Sequence, residues 1–172
     1  MQIRPEQSDD YEAIAGVHRL AFGREAEANL VERLRETPEF HPGLSLVAVD
    51  AGRIIGHVLF HLIAIETEQG WAAALALAPL AVIPERQYQG VGTALLESGI
   101  LTCHKLGHRM IIVLGNPEYY SHFGFQPASR FGISCPYPVP DAAFMVLSLR
   151  PGALANVQGV VVYPAAFQSA NL

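Results

Sequence analysis

Charge is scarce in this chain. Asp, Glu, Lys and Arg make up 16% of its 172 residues, where a soluble domain ordinarily carries about 25%. That shortage excludes a disordered chain, a coiled coil and a protein that coats nucleic acid, since each is built on charge. Cysteine is scarcer still. Cys103 and Cys135 are too few for a disulfide framework. Cys103 falls within an apolar helical pattern and reads as a core thiol. Cys135 sits in a Pro-rich stretch with no His–Asp context, which argues against a nucleophile. Long hydrophobic runs are missing too. The most apolar stretch, residues 71–84, is interrupted by Pro79 and is shorter than the roughly 20 residues of a spanning helix. The opening MQIRPEQSDD lacks the apolar core of a signal peptide. The reading is a cytoplasmic protein with neither membrane nor nucleic acid as a partner, a monomer or a homodimer.

Several chemical signatures are absent as well. The sequence has no Walker GK[ST], HExxH, GxSxG or CxxC. Seven histidines raise the question of a metal. His57 and His61 share a face of a predicted strand, but four residues of strand span about 13 Å, too far for one ion. No metal is expected.

What is present is apolar. Hydrophobic residues make up 51% of the chain, enough for one domain to bury a sizeable core without staples. The formal charge of −5 is unevenly placed. Residues 1–50 hold ten acidic against five basic residues, and the remainder is balanced.

The pattern along the chain predicts a mixed α/β sheet. Gln2–Arg4 is a short extended start. Ser8 would cap a helix from Asp9 to about Phe22, with acidic residues in its first turn. A second amphipathic helix is expected over 25–36, with Leu30, Val31 and Leu34 inward. Strands follow at 44–49 and 53–65 around the turn Asp50-Ala51-Gly52, then at 71–82, where Pro79 suggests a bulge or an unpaired position. A helix over 91–106 ends at Gly107. Strand 109–114 is almost wholly apolar, hence buried on both faces. A short helix over 117–123, strands at 125–128 and 144–149, a loop over 129–142 and a last strand near 160–163 complete the chain.

The informative segment is Pro84-Glu85-Arg86-Gln87-Tyr88-Gln89-Gly90-Val91-Gly92-Thr93. A strand ends before it and a helix begins near Gly90. Two glycines there leave backbone N–H groups uncovered at a helix N-terminus, which suits phosphate oxygens. A tight turn would use the same glycines. A dinucleotide fingerprint is disfavoured, because Leu95 stands where GxGxxG or GxGxxA needs Gly or Ala.

Gln87-Tyr88-Gln89-Gly90-Val91-Gly92 resembles the [RQ]-x-x-G-x-[GA] motif of the Gcn5-related N-acetyltransferases. Downstream, residues 115–125, GNPEYYSHFGF, resemble the YYxxFGF region of that family's YhbS-like branch. The element order agrees from the first strand through the helix pair. The resemblance implies a single acetyltransferase domain over residues 1–150, with residues 151–172 a C-terminal extension docked on it. It implies a mostly antiparallel sheet flanked by helices and splayed between its central strands.

The resemblance further implies acetyl-coenzyme A as co-substrate and a small-molecule or peptide amine as acceptor, joined by direct attack in a ternary complex. Ala81 and Val82 would present a backbone N–H to the thioester oxygen. Gln87, Gln89, Gly90, Val91, Gly92 and Thr93 would cradle the pyrophosphate. Arg86 is either an attractor for phosphates or an exposed loop residue. Asn116 would bond the pantetheine amides or cap the next helix. Tyr120 stands where the family's general acid sits, and a packing tyrosine is the other reading. The strand over 71–82 has no carboxylate or histidine, so the general base falls to Glu27, His61, Glu66, Glu68 or water. The alternative activity is a non-catalytic acyl-coenzyme A sensor or adaptor, which the empty base position favours.

Overall fold

A computed structural model of the chain describes residues 1–168. The last four residues of the expected C-terminal extension lie outside the described residues. The chain divides into two compact units, residues 1–61 with 78–102 and the C-terminal residues from 165, and residues 62–77 with 103–164. Two long strands, β3 (Arg53–Thr67) and β4 (Gly70–Val82), contribute one end to each unit.

The first unit begins with β1 (Gln2–Pro5), α1 (Tyr11–Phe22), α2 (Ala26–Arg35) and β2 (Ser45–Asp50). Strand β1 runs antiparallel to β2, and β2 antiparallel to β3, with Val47 opposite His57 and a bulge between Ala48 and Val49. The expected cap Ser8 is corrected. Residues Ser8–Asp10 form a 3₁₀ turn, and the reciprocal capping box is built by Gln7 and Asp10. Asp10 Oδ2 accepts from Gln7 N at 2.7 Å while Arg4 Nη1 donates to the same oxygen at 2.7 Å. A carboxylate that satisfies a free N–H and an arginine together outcompetes a serine hydroxyl.

The apolar stripes behave as their spacing requires. Ile14 and Val17 of α1 and Leu30, Val31 and Leu34 of α2 are buried, as are Val58, Leu59 and Phe60 of β3. Each such side chain contributes roughly 1.5–3 kcal/mol through burial. Helix α3 (Val91–Lys105) buries Leu95 and Leu96. At Gly99 the missing Cβ leaves room for the Phe60 ring. Helix α5 (Ala165–Gln168), unsignalled in the sequence, lies against α2, where Arg33 Nε donates to Ala166 O at 3.2 Å.

The second unit holds β5 (Met110–Leu114), α4 (Pro117–Ser121), β6 (Gln126–Pro127), β7 (Ile133–Ser134), β8 (Phe144–Ser148) and β9 (Gly159–Val162). Strand β8 lies antiparallel between β5 and β6. Residues 110–113 are buried, as their unbroken apolar run requires. The parallel ladder of β4 with β5 is short, Leu75 opposite Ile111 and Ala76 opposite Ile112, although β4 runs on to Val82. The Ala78–Pro79 peptide is cis. The stretch expected as loop contains β7, which pairs parallel with β9, and β9 in turn pairs antiparallel with the end of β3. Two-residue strands carry too little periodicity to read from sequence. Together the pairings make a mixed sheet in which antiparallel ladders predominate.

Candidate active site

The segment after β4 is a loop shaped by its own backbone. Ile83 N–H donates to Ile55 O at 3.0 Å, and Pro84–Arg86 form a 3₁₀ turn. Tyr88 and Gly90 then take left-handed φ values of +60° and +85°. A Cβ on Gly90 would meet nothing within 4 Å, so glycine there answers backbone conformation rather than crowding. The first intrahelical bond is Ala94 N to Gly90 O at 3.0 Å. Helix geometry therefore leaves the N–H groups of Val91, Gly92 and Thr93 without intrahelical acceptors, and the helix dipole makes that end attractive to an anion. Beneath the loop, Gly56 of β3 lets the helix sit close. A Cβ there would come within 2.9 Å of Leu95 Cδ1, 3.1 Å of Val91 Cγ1 and 3.2 Å of Ala81 O.

Side-chain cations near the loop are matched within the protein. Arg86 Nη1 pairs with Asp50 Oδ2 at 2.8 Å, and Arg53 Nη2 with Glu85 Oε1 at 3.1 Å. The Arg86 hydrogen bond and charge hold the Asp50 carboxyl below its usual range. The anion-binding capacity of the loop thus rests mainly on backbone N–H groups.

The second unit places Asn116 and Tyr120 on one short element. Asn116 caps α4, its Oδ1 accepting from Glu118 N at 3.0 Å. Tyr120 is 8% exposed, with ring centroids 5.1 Å from Tyr119 and 5.6 Å from Phe125. Its hydroxyl has no hydrogen-bond partner among the described residues. Among the described residues, the side-chain atoms both shut from solvent and unpartnered are His18 Nδ1 and Arg33 Nη2, so the phenol oxygen keeps contact with solvent while the ring is packed. Burial, then the neighbouring Tyr119, pushes the phenol well above its usual range. Gly115 is needed for this packing, because a Cβ there would overlap Tyr120 Cε2. Gly115→Ala is expected to lower stability by about 1–3 kcal/mol through overpacking, measured as a fall in the urea midpoint. An unchanged midpoint would show that the Tyr120 ring can yield.

Two of the base candidates, Glu27 and His61, have internal partners. Glu27 is 1% exposed and accepts hydrogen bonds from Arg24 Nε at 2.8 and 3.1 Å and from Arg24 Nη2. His61 is buried, with Nε2 2.8 Å from Thr37 Oγ1 and its ring edge-on to Phe167. Glu66 and Glu68 line an open groove of about 540 Å³ with Gln69, Asn156 and Gln158. A second groove of about 480 Å³, lined by Gly124, Phe131, Val146, Leu147 and Leu154, meets the segment GNPEYYSHFGF at Gly124 and holds none of the candidate site residues.

Another polar cluster lies in the first unit. His57 Nδ1 lies 2.8 Å from His18 Nε2, and His57 Nε2 lies 2.8 Å from Ser45 Oγ. Both rings are fully buried. Burial first, then the Arg35 charge, pushes His18 down to about 4. Burial, His18 and Arg35 lower His57 well below its usual range. Two neutral imidazoles can share one N–H···N bond, whereas two imidazoliums cannot. No group of three or more His, Cys, Asp or Glu among the described residues could hold a metal ion. Nor is any described helix long and apolar enough to cross a membrane.

Residues 2–128 match the acetyltransferase (GNAT) domain. The chain belongs to the Gcn5-related N-acetyltransferase family. The uncharacterized N-acetyltransferase YjhQ of Escherichia coli K12 is 40% identical over 144 residues, 81% of this chain and 80% of that protein. The uncharacterized N-acetyltransferase YhbS of the same strain is 35% identical over 164 residues, 95% and 96% of the two chains. The crystal structure of Escherichia coli YhbS in complex with CoA matches with a TM-score of 0.91 at 34% identity, covering 99% of this chain and 93% of that one. A GNAT family acetyltransferase from Brucella melitensis in complex with acetyl-CoA matches with a TM-score of 0.78 at 30% identity, covering 96% and 97%.

Proposed function

We propose that the protein transfers an acetyl group from acetyl-CoA to an amine by direct attack in a ternary complex. The observation that carries this reading is the turn after β4. Its left-handed residues deliver the chain into the first turn of α3 with backbone N–H groups free for a pyrophosphate, in a chain of the acetyltransferase family. The two matched structures hold CoA and acetyl-CoA, and the donor set here fits the same chemistry.

Acetyl-CoA supplies an activated acetyl thioester. The chain's own groups have separate tasks. Backbone N–H groups of Val91, Gly92 and Thr93 hold phosphate oxygens. The backbone at Ala81–Val82 donates to the thioester oxygen, where negative charge develops. An alkylammonium acceptor, with pKa about 10.4, loses its proton to water or to a base before attack. The new N–C bond forms as the C–S bond breaks, the Tyr120 hydroxyl delivers its proton to the departing sulfur, and the second proton, lost from the amide nitrogen, returns through water to the Tyr120 phenolate. No acyl-enzyme is required. Cys103 is buried and burial pushes its thiol up to about 12.

The acceptor is an amine of small-molecule or peptide origin. The acidic excess in residues 1–50 gives little further guidance. Glu6, Asp10, Glu12, Glu25, Glu27 and Asp50 are ion-paired, and the balance lies on the exposed Asp9, Glu32, Glu36 and Glu39. A second reading, an acyl-CoA sensor without turnover, draws on the engaged state of Glu27 and His61 and on a β4 without a titratable base.

The test mixes the protein with acetyl-CoA and a panel of amines and follows free thiol. Amine-dependent thiol release is expected. Tight coenzyme binding with no release across the panel would favour the sensor, and absence of coenzyme binding would remove both readings.

A further inference from the structure

We infer that Gln87 is a positioning residue, latching the coenzyme loop to the end of β4 through its side chain rather than offering that side chain to the phosphates. This rests on the coenzyme reading of the loop. Gln87 Nε2 donates to Val82 O at 2.9 Å in a partly buried setting. Val82 is the last residue of β4, so the carboxamide satisfies a carbonyl at the point where the strand ends. The main-chain N–H of Gln87 reaches Pro84 O at 3.3 Å. Side chain and backbone together close a small ring over residues 82–87.

The ring has mechanical work to do. The next residue, Tyr88, holds a left-handed φ of +60° although it is not glycine, a conformation that costs about 1–2 kcal/mol. Its side chain is fully exposed, so no packing of its own holds it there. Contacts on either side must supply the restraint. Gln89 repeats the device more weakly at the surface, its Nε2 donating to Glu85 O at 3.0 Å and its Oε1 accepting from Arg86 Nε at 3.3 Å. Both glutamine amide nitrogens point back into the chain, which leaves the backbone N–H groups ahead of them for the ligand. Preorganising those N–H groups raises affinity by sparing the cost of ordering the loop on binding.

Variants Gln87→Ala and Gln87→Arg of the full chain test this, with coenzyme A affinity measured by calorimetry at low and high salt. The loss of one partly buried hydrogen bond should weaken binding by Gln87→Ala about fivefold to tenfold. Gln87→Arg retains a donor for Val82 O and should stay within about twofold of the parent protein, with an unchanged salt dependence. Affinity of Gln87→Ala within twofold of the parent overturns the latch. So does a Gln87→Arg protein that binds several-fold tighter with a steeper salt dependence, the mark of a direct phosphate contact. Failure of the parent protein itself to bind coenzyme A would instead refute the proposed function.

Discussion

Tyr120→Phe is expected to lower the rate of acetyl transfer about 100-fold or more, with acetyl-CoA affinity unchanged. The substitution isolates one atom. The ring is packed between Tyr119 and Phe125, and phenylalanine fills the same space. The hydroxyl has no hydrogen-bond partner among the described residues, so its removal leaves no buried group unsatisfied. Stability should therefore stay within about 0.5 kcal/mol, and the change should appear in kcat rather than in coenzyme binding. Because burial and the Tyr119 neighbour push the phenol upward, it keeps its proton well past neutral pH. The parent enzyme should then show no loss of turnover from this group between pH 7 and 9. An unchanged rate in Tyr120→Phe would take the residue out of the mechanism and leave the thiolate proton to water.

The loop was legible in the sequence because its chemistry is local. A strand end, two glycines and a helix start lie within a dozen residues; that spacing suits uncovered backbone N–H groups and a tight turn alike, and the family resemblance is what points to a phosphate cradle. Asn116 was half legible. The sequence allowed both a coenzyme contact and a cap, and Asn116 Oδ1 accepts from Glu118 N. The His18–His57–Ser45 cluster was not legible, since it joins α1, β2 and β3 across 39 positions between the two histidines. Its only local trace is the alternation of β3. Ile55, His57, Leu59 and His61 share one face by period two, and all four are buried. Two histidines within a buried apolar row signal that polar partners lie across the core. Neither their identity nor the pairing of Glu6 with Arg35 follows from periodicity. The cap at Gln7 and Asp10 escaped for a related reason, because Ser8 satisfies the rule for a helix start and the winning carboxylate is fixed by Arg4 on β1.

That buried cluster sets the second large effect, a loss of stability in mild acid. His18 holds a folded value near 4 against an ordinary 6.5, so the unfolded chain binds a proton that the folded chain refuses. Stability is full above pH 6.5 and falls as the pH drops toward 4. One such histidine is worth about 3 kcal/mol over that window, and His57, lowered by the same burial and by the same Arg35 charge, adds to it. The Arg35 charge acts on both rings from α2, and Arg35 is itself paired with Glu6. The carboxylates act at a different pH. Asp10 is held below its ordinary 3.8 by Arg4, so its contribution persists above that value and is lost below it. Urea unfolding at pH 7.5, 6.0, 5.0 and 4.5 should show most of the decline before carboxylates titrate. His18→Leu removes the His18 share and should flatten the decline, leaving the part due to His57. Equal urea midpoints at pH 7.5 and 4.5 in the parent protein would mean that the histidine pair is accessible to protons in the native fold.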